Sequence, residues 1–204
     1  MSHDTPPYWA RARRTLAASD PILGEVMRGC RGKILQRRSD PFVSLARAIV
    51  GQQISVKAAG SIWQRLLLVA PVMVPDTIVR LDEATLRGCG LSGRKATYLG
   101  DLATHFLTGS IRPELWKDLD DEDVIGQLVA VKGVGRWTAE MFLIFHLQRP
   151  DILPLADVGL RRAMNLHYNN GRPLSDGKIR RISALWEPWR TVATWYLWRS
   201  LDPA

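Results

Sequence analysis

The sequence predicts an all-α protein of two helical subdomains, on three observations. Apolar residues recur with a helical period along almost the whole chain. No alternating run is long enough to form a strand, and Ser or Asp residues open the apolar stretches while Gly or Pro closes them. Behind Asp40-Pro41, a cap residue followed by a first-turn proline, Phe42, Leu45, Ala46, Ile49 and Val50 share one face, so a helix begins near 41. Ser55 caps a second helix through Val56, Ala59, Ile62, Trp63, Leu66 and Leu67, which Pro71 ends. Short helical pieces headed by Asp76 and Asp82 follow, closed by Gly88 and Gly90. Ser92 opens a helix carrying Leu99, Leu102, Ala103, Phe106 and Leu107 up to Gly109. Asp120 to Asp123 suit the positive end of the next, over about 121–131.

The chain then turns at Lys132-Gly133-Val134-Gly135, and a new helix starts at once with Arg136-Trp137-Thr138-Ala139. Further helices are expected over about 157–167, 176–186 and 188–200, the first ended by Asn169-Asn170-Gly171. The expected subdivision packs residues 42–149, with the hairpin motif at about 121–147, as one subdomain. Residues 1–41 with 150–204 form the other, and the site is expected in the cleft between the two.

Composition narrows the function classes. With 46% hydrophobic residues in 204, the chain is not disordered. Its longest apolar stretch, Leu66 to Val74, is broken by Pro71 and falls short of the ~20 residues of a membrane span. Two cysteines, Cys30 and Cys89, cannot build a four-cysteine cluster or a cysteine-based zinc site, and His3, His105, His146 and His167 are scattered, so no side-chain metal site is expected. The N-terminus lacks the apolar core of a secretory signal, and a cytoplasmic address is expected, at the nucleoid if the source is bacterial. The formal charge is +8, and 22 of the 28 basic residues are arginine, the side chain whose planar fork matches phosphate.

The hairpin is the most informative segment. Two glycines one residue apart permit positive φ and keep side chains out of the way of a large ligand. Backbone N–H groups at the start of the following helix are unpaired donors at a positive dipole end, the arrangement that holds a phosphate, and Lys132 and Arg136 add charge beside it. The pattern extends to Leu128-x-x-Val131-x-Gly133-Val134-Gly135-x-x-x-Ala139, with apolar residues on the facing helices and a small residue where they approach.

In this pattern the chain resembles the helix-hairpin-helix DNA glycosylases. Asp157, 22 residues beyond Gly135 in Leu155-Ala156-Asp157-Val158-Gly159-Leu160, looks like that family's invariant aspartate. The Gly-Val-Gly-Arg-Trp-Thr-Ala run, the segment Ala48-Ile49-Val50-Gly51-Gln52-Gln53-Ile54-Ser55 and the tail Trp186-x-x-Trp189-Arg190 with Trp198 resemble the alkylation-repair branch, 3-methyladenine DNA glycosylase II. The likeness covers about residues 40–200 and implies a compact form without the N-terminal β-domain of longer members. Trp137 stands where bifunctional members carry a lysine nucleophile, so the resemblance implies a monofunctional hydrolase without lyase activity.

Releasing a base passes through an oxocarbenium-like sugar, which needs fixed negative charge and a positioned water; Asp157, at a helix start, suits both tasks. It suits an N-cap equally well. Glycosidases usually pair two carboxylates, but an N-alkylated purine is already cationic and leaves without an acid. For a flipped base, Trp137 and Trp198 are the pocket candidates, because an indole face attracts a cationic base. Met141 stands one turn after Trp137, where the bacterial family offers a tyrosine. The resemblance makes Gln53, with Ile54, the wedge that fills the gap in the duplex. The phosphate-binding hairpin comprises Lys132, Gly133, Val134, Gly135 and Arg136, whose backbone carbonyls can hold a monovalent cation, Na or K, in this family.

The expectation is therefore a monomeric DNA glycosylase of base-excision repair acting on double-stranded DNA, removing 3-methyladenine and 7-methylguanine, with ethenoadenine or hypoxanthine as further substrates. The alternatives are a non-catalytic helix-hairpin-helix DNA-binding module and a glycosylase for mismatched or oxidised bases.

Overall fold

A computed structural model describes residues 5–30, 34–35 and 40–202. Among them there is no strand, and no helix is long and apolar enough to cross a membrane. The chain divides into two compact units, 38–142 and 1–37 with 143–204, so the second boundary falls at Phe142/Leu143. His3 and the residues around the first boundary, 36–39, lie outside the described residues.

In the unit 38–142, side-chain caps start the helices. Asp40 Oδ1 accepts from the Val43 amide ahead of α3 (Pro41–Gly51), and Ser55 from Ala58 ahead of α4 (Val56–Val69). The short α5 (Pro75–Val79) begins after Val74, which places Asp76 inside its first turn rather than at its head; Pro75 sets the start instead. Asp82 caps α6 (Glu83–Gly88), Ser92 caps α7 (Gly93–Leu107) and Asp120 caps α8 (Asp121–Val129). A 3₁₀ segment, Pro113–Asp118, lies between the last two and has no counterpart in the sequence pattern; it buries Trp116, whose ring meets Phe142 of α9 (Arg136–Phe142) edge-on at 5.3 Å. Helix α7 is central, packing on α3, α5 and α6. Leu99, Leu102 and Ala103 of α7 and Leu45, Ala46 and Ile49 of α3 are buried, and Phe42 meets Phe106 edge-on at 5.3 Å.

The other unit opens with two helices that periodicity did not announce, α1 (Trp9–Ser19) and α2 (Pro21–Gly29). Asp20 separates them. Its Oδ1 caps the Leu23 amide at 3.0 Å, while Oδ2 accepts from Tyr168 Oη at 2.7 Å and Trp186 Nε1 at 2.8 Å, so this buried carboxylate is fully engaged. Burial, together with the bond to Asp20, pushes the Tyr168 phenol far above its ordinary range. Helices α10 (Val158–Asn169), α11 (Asp176–Ser183) and α12 (Arg190–Arg199) complete the unit. A 3₁₀ turn, Ala184–Trp186, follows α11, so Trp186 lies beyond that helix, fully buried. Helix α12 is buried on nearly every side, through Val192, Ala193, Tyr196 and Leu197 among others, as the centre of a bundle must be.

Candidate functional site

The loop before α10 is held from both ends. Arg190 grips Asp151 with a two-point fork, Nε to Oδ1 at 2.8 Å and a terminal nitrogen to Oδ2 at 2.7 Å. Thr191 Oγ1 donates to the Arg149 carbonyl at 2.6 Å and accepts from the Ile152 amide at 3.0 Å. At the far end the Asp157 amide donates to the Pro154 carbonyl at 2.9 Å. The loop therefore arrives at α10 with little freedom.

Asp157 is that helix's N-cap, 8% exposed, and its Oδ1 receives two donors: the Leu160 amide at 2.6 Å and Trp198 Nε1 at 2.7 Å. Both fix the plane of the carboxylate. Trp198, expected as a pocket wall, donates its N–H to the aspartate and stacks one face on Phe145, ring centres 5.7 Å apart and planes 10° apart. It orients Asp157, because the stack sets the ring plane and the ring plane sets the direction of the N–H. Phe145 comes from a π-helical turn, Leu143–Leu147. Gly159 completes the arrangement: a Cβ there would lie 3.1 Å from both Asp157 Oδ1 and Trp198 Cδ1. Sequence reading missed Phe145 and Gly159; the signal for Gly159 was its place two residues after Asp157, next to a large aromatic in space but not in sequence.

In the other unit, the hairpin joins α8 to α9. Val131 and Val134 are buried beneath it, and the Val134 amide closes the turn on the Val131 carbonyl at 3.0 Å. The two glycines do different jobs. Gly133 has φ +82°, and a Cβ on it would collide with the Tyr98 ring, so the space kept open there is filled by the protein's own α7. At Gly135 a Cβ would meet nothing within 4 Å, and this is the glycine that leaves an approaching ligand room.

The charges differ in the same way. Arg136 was expected to face phosphate, yet it donates to Glu122 through both terminal nitrogens, one at 2.9 Å, and through Nε to Glu140 at 3.1 Å. Its hydrogen bonds to Glu122 hold the guanidinium pKa above its usual range and the Glu122 carboxyl below its own. Arg136 thus ties α8 to α9 and carries its charge already paired with two carboxylates. Lys132 is exposed, its Nζ 3.5 Å from Asp101, and its backbone N–H donates to Asp101 Oδ2 at 2.8 Å. That amide is already used. The Gly133 and Gly135 amides remain as donors at the turn into α9.

Gln53 and Ile54 form the exposed turn between α3 and α4; Gln53 has φ +56° and Ile54 is 38% exposed. Trp137 is 48% exposed on α9, with Met141 half-buried one turn later. Trp137 and Met141 therefore belong to one unit and Asp157 and Trp198 to the other. Among the described residues no three His, Cys, Asp or Glu side chains converge on a metal site.

A sequence profile described as HhH-GPD superfamily base excision DNA repair protein matches residues 46–190. The DNA-3-methyladenine glycosylase 1 of Schizosaccharomyces pombe is 33% identical over 167 residues, covering 80% of this chain and 73% of that protein. Among solved structures, a DNA-3-methyladenine glycosidase from Bacillus halodurans superposes with TM-score 0.84 at 35% identity, over 98% of this chain and 90% of that one. The 3-methyladenine DNA glycosylase of Schizosaccharomyces pombe in complex with abasic DNA superposes with TM-score 0.75 at 30% identity, over 93% and 95%.

Proposed function

Since this chain belongs to the HhH-GPD superfamily of base excision DNA repair proteins, we propose that it is a monofunctional alkylpurine DNA glycosylase. It acts as a monomer on double-stranded DNA and releases 3-methyladenine and 7-methylguanine, with ethenoadenine or hypoxanthine as further substrates. One observation carries the proposal: a nearly buried aspartate at a helix N-terminus, its carboxylate aimed by an indole N–H.

The chemistry follows from that group. As the C1′–N bond breaks, its electron pair passes into the cationic purine, which leaves neutral, and positive charge develops on the sugar. The Asp157 carboxylate stabilises that charge and orients a water, whose oxygen bonds to C1′ while its proton passes through the carboxylate to solvent. No acid is needed for a leaving group that is already charged, whereas neutral ethenoadenine or hypoxanthine leaves with the electron pair as an anion and takes up its proton from solvent. The position after Arg136 is Trp137, not lysine, so no Schiff base forms and the strand stays intact.

In this reading Gln53 with Ile54 fills the gap that the flipped base leaves, and the exposed indole face of Trp137, with Met141 one turn later, suits a positively charged ring. The amides of Gly133 and Gly135 and the Lys132 ammonium meet phosphate. The hairpin carbonyls suit a monovalent cation: Val131 O accepts one bond from Val134 and Gly133 O one from Gln52, leaving a second lone pair on each neutral oxygen. A bound Na or K would add positive charge beside the phosphate.

The test is base release from duplexes bearing 7-methylguanine or ethenoadenine, each sample split with and without hot alkali. Wild type should yield breaks only after alkali. Asp157→Asn, which can still accept both N–H groups, should lose roughly 10²- to 10⁴-fold in rate and keep its duplex affinity. Breaks without alkali would overturn the monofunctional reading, and unchanged release by the variant would overturn the role of Asp157.

A further inference from the structure

One face of α7 carries Lys95, Tyr98 and Asp101, three residues apart in turn. Each holds a different piece of the exposed machinery. Lys95 Nζ donates to the Val50 and Gln52 carbonyls, both at 2.8 Å, which are the groups a helix leaves unpaired where α3 ends. Tyr98 fills the space against Gly133, and Asp101 takes the Lys132 amide. A fourth bond joins the two pieces directly, Gln52 Nε2 to the Gly133 carbonyl at 2.8 Å.

Between these anchors sits Gln53 in the left-handed region, which costs a non-glycine residue on the order of 1 kcal/mol or more and persists only where its surroundings impose it. Three groups impose it. Lys95 fixes the chain before Gln53 through two carbonyls, Gln52 ties it sideways to the hairpin, and Ser55 restarts the helix two residues later by capping Ala58. Lys95 is half-buried, and although burial lowers its pKa, its two short bonds to carbonyls hold the ammonium at this duty.

We propose that Lys95 and Gln52 are positioning residues that preset the Gln53-Ile54 turn and register it to the hairpin, so that wedge insertion and phosphate grip operate as one clamp. The inference rests on Gln53-Ile54 being the wedge of the proposed glycosylase. It does not depend on which base is released.

The experiment therefore avoids the chemical step. The full chain is bound to a duplex holding a tetrahydrofuran abasic analogue beside 2-aminopurine, whose fluorescence rises when the stack is opened, and to the intact duplex. Lys95→Met and Gln52→Ala should each lower the preference for abasic over intact duplex about tenfold, the scale of a lost hydrogen bond with a charged or well-aligned partner. The fluorescence rise should fall with it. Lys95→Arg, which can still reach two carbonyls, should restore both signals. In a Gln53→Ala background, Lys95→Met should add less than about twofold, because residues acting through one element are not additive.

Wild-type fluorescence and preference in Lys95→Met would overturn the proposal, as would a full further loss in the Gln53→Ala background or equal weakening on both duplexes. Gln52→Ala carries the same prediction should Lys95→Met fail to fold. Wild-type protein that opens the abasic duplex but releases no alkylated base would defeat the substrate reading and leave this one standing.

Discussion

At the scale of single residues, identity and duty separate. Asp157 and Trp198 are 41 positions apart, yet one hydrogen bond of 2.7 Å makes them a unit. Trp198→Phe keeps a ring to stack on Phe145 and removes only the N–H to the carboxylate. Single-turnover excision should slow about 10- to 100-fold with KM unchanged and the melting temperature nearly so, since orientation of the aspartate is lost and substrate contacts are not. A large rise in KM would instead return Trp198 to the pocket wall. Arg136 teaches the converse lesson: an arginine beside a phosphate-binding turn looks like a ligand in one dimension, and Glu122 and Glu140 claim it in three.

At the scale of elements, the hairpin is braced from α7 and α8, and its two glycines should respond differently to the same change. Gly133→Ala forces a side chain onto the Tyr98 ring at a positive φ, and should cost about 2–3 kcal/mol of stability, read as a lower thermal midpoint. Gly135→Ala meets nothing and should leave the midpoint within a few degrees. Its effect should appear in duplex binding, weakened alike for damaged and undamaged DNA, because phosphate contacts carry no sequence or lesion information. Equal melting of the two variants would contradict this division of labour.

At the scale of the whole molecule, the +8 charge is spread over an arginine-rich surface in which several arginines are already paired: Arg136 with Glu122, Arg161 with Asp176, Arg190 with Asp151. The number of phosphates neutralised should thus be well below the number of basic residues. Affinity for an undamaged duplex, titrated from about 50 to 200 mM salt, should fall log-linearly with a slope of about −0.9 per phosphate contacted. Lys132→Ala should reduce that slope by about 1, whereas Arg136→Gln should leave it unchanged while loosening the hairpin. A salt-independent affinity would contradict binding through the DNA backbone.

The sequence alone determined the all-α class, the helix starts at Asp40, Ser55, Asp82 and Ser92, the acidic opening of the helix at 121, the hairpin and the aspartate at the head of α10, because these are local matters of periodicity, cap chemistry and glycine placement. Helices α1 and α2 and the 3₁₀ segment at 113–118 escaped it, though Asp20-Pro21 repeats the cap-and-proline signal of Asp40-Pro41. Only the tertiary structure decided which groups are spent and which remain available: that Trp198 serves Asp157, that Tyr98 occupies the space left by Gly133, that Arg136 is neutralised, and that Lys95 and Gln52 hold the turn at Gln53. A hydrogen-bond donor or a side chain's volume is committed once in space, to a partner that can lie about eighty residues away, as Gln52 and Gly133 do, and no local pattern records that commitment.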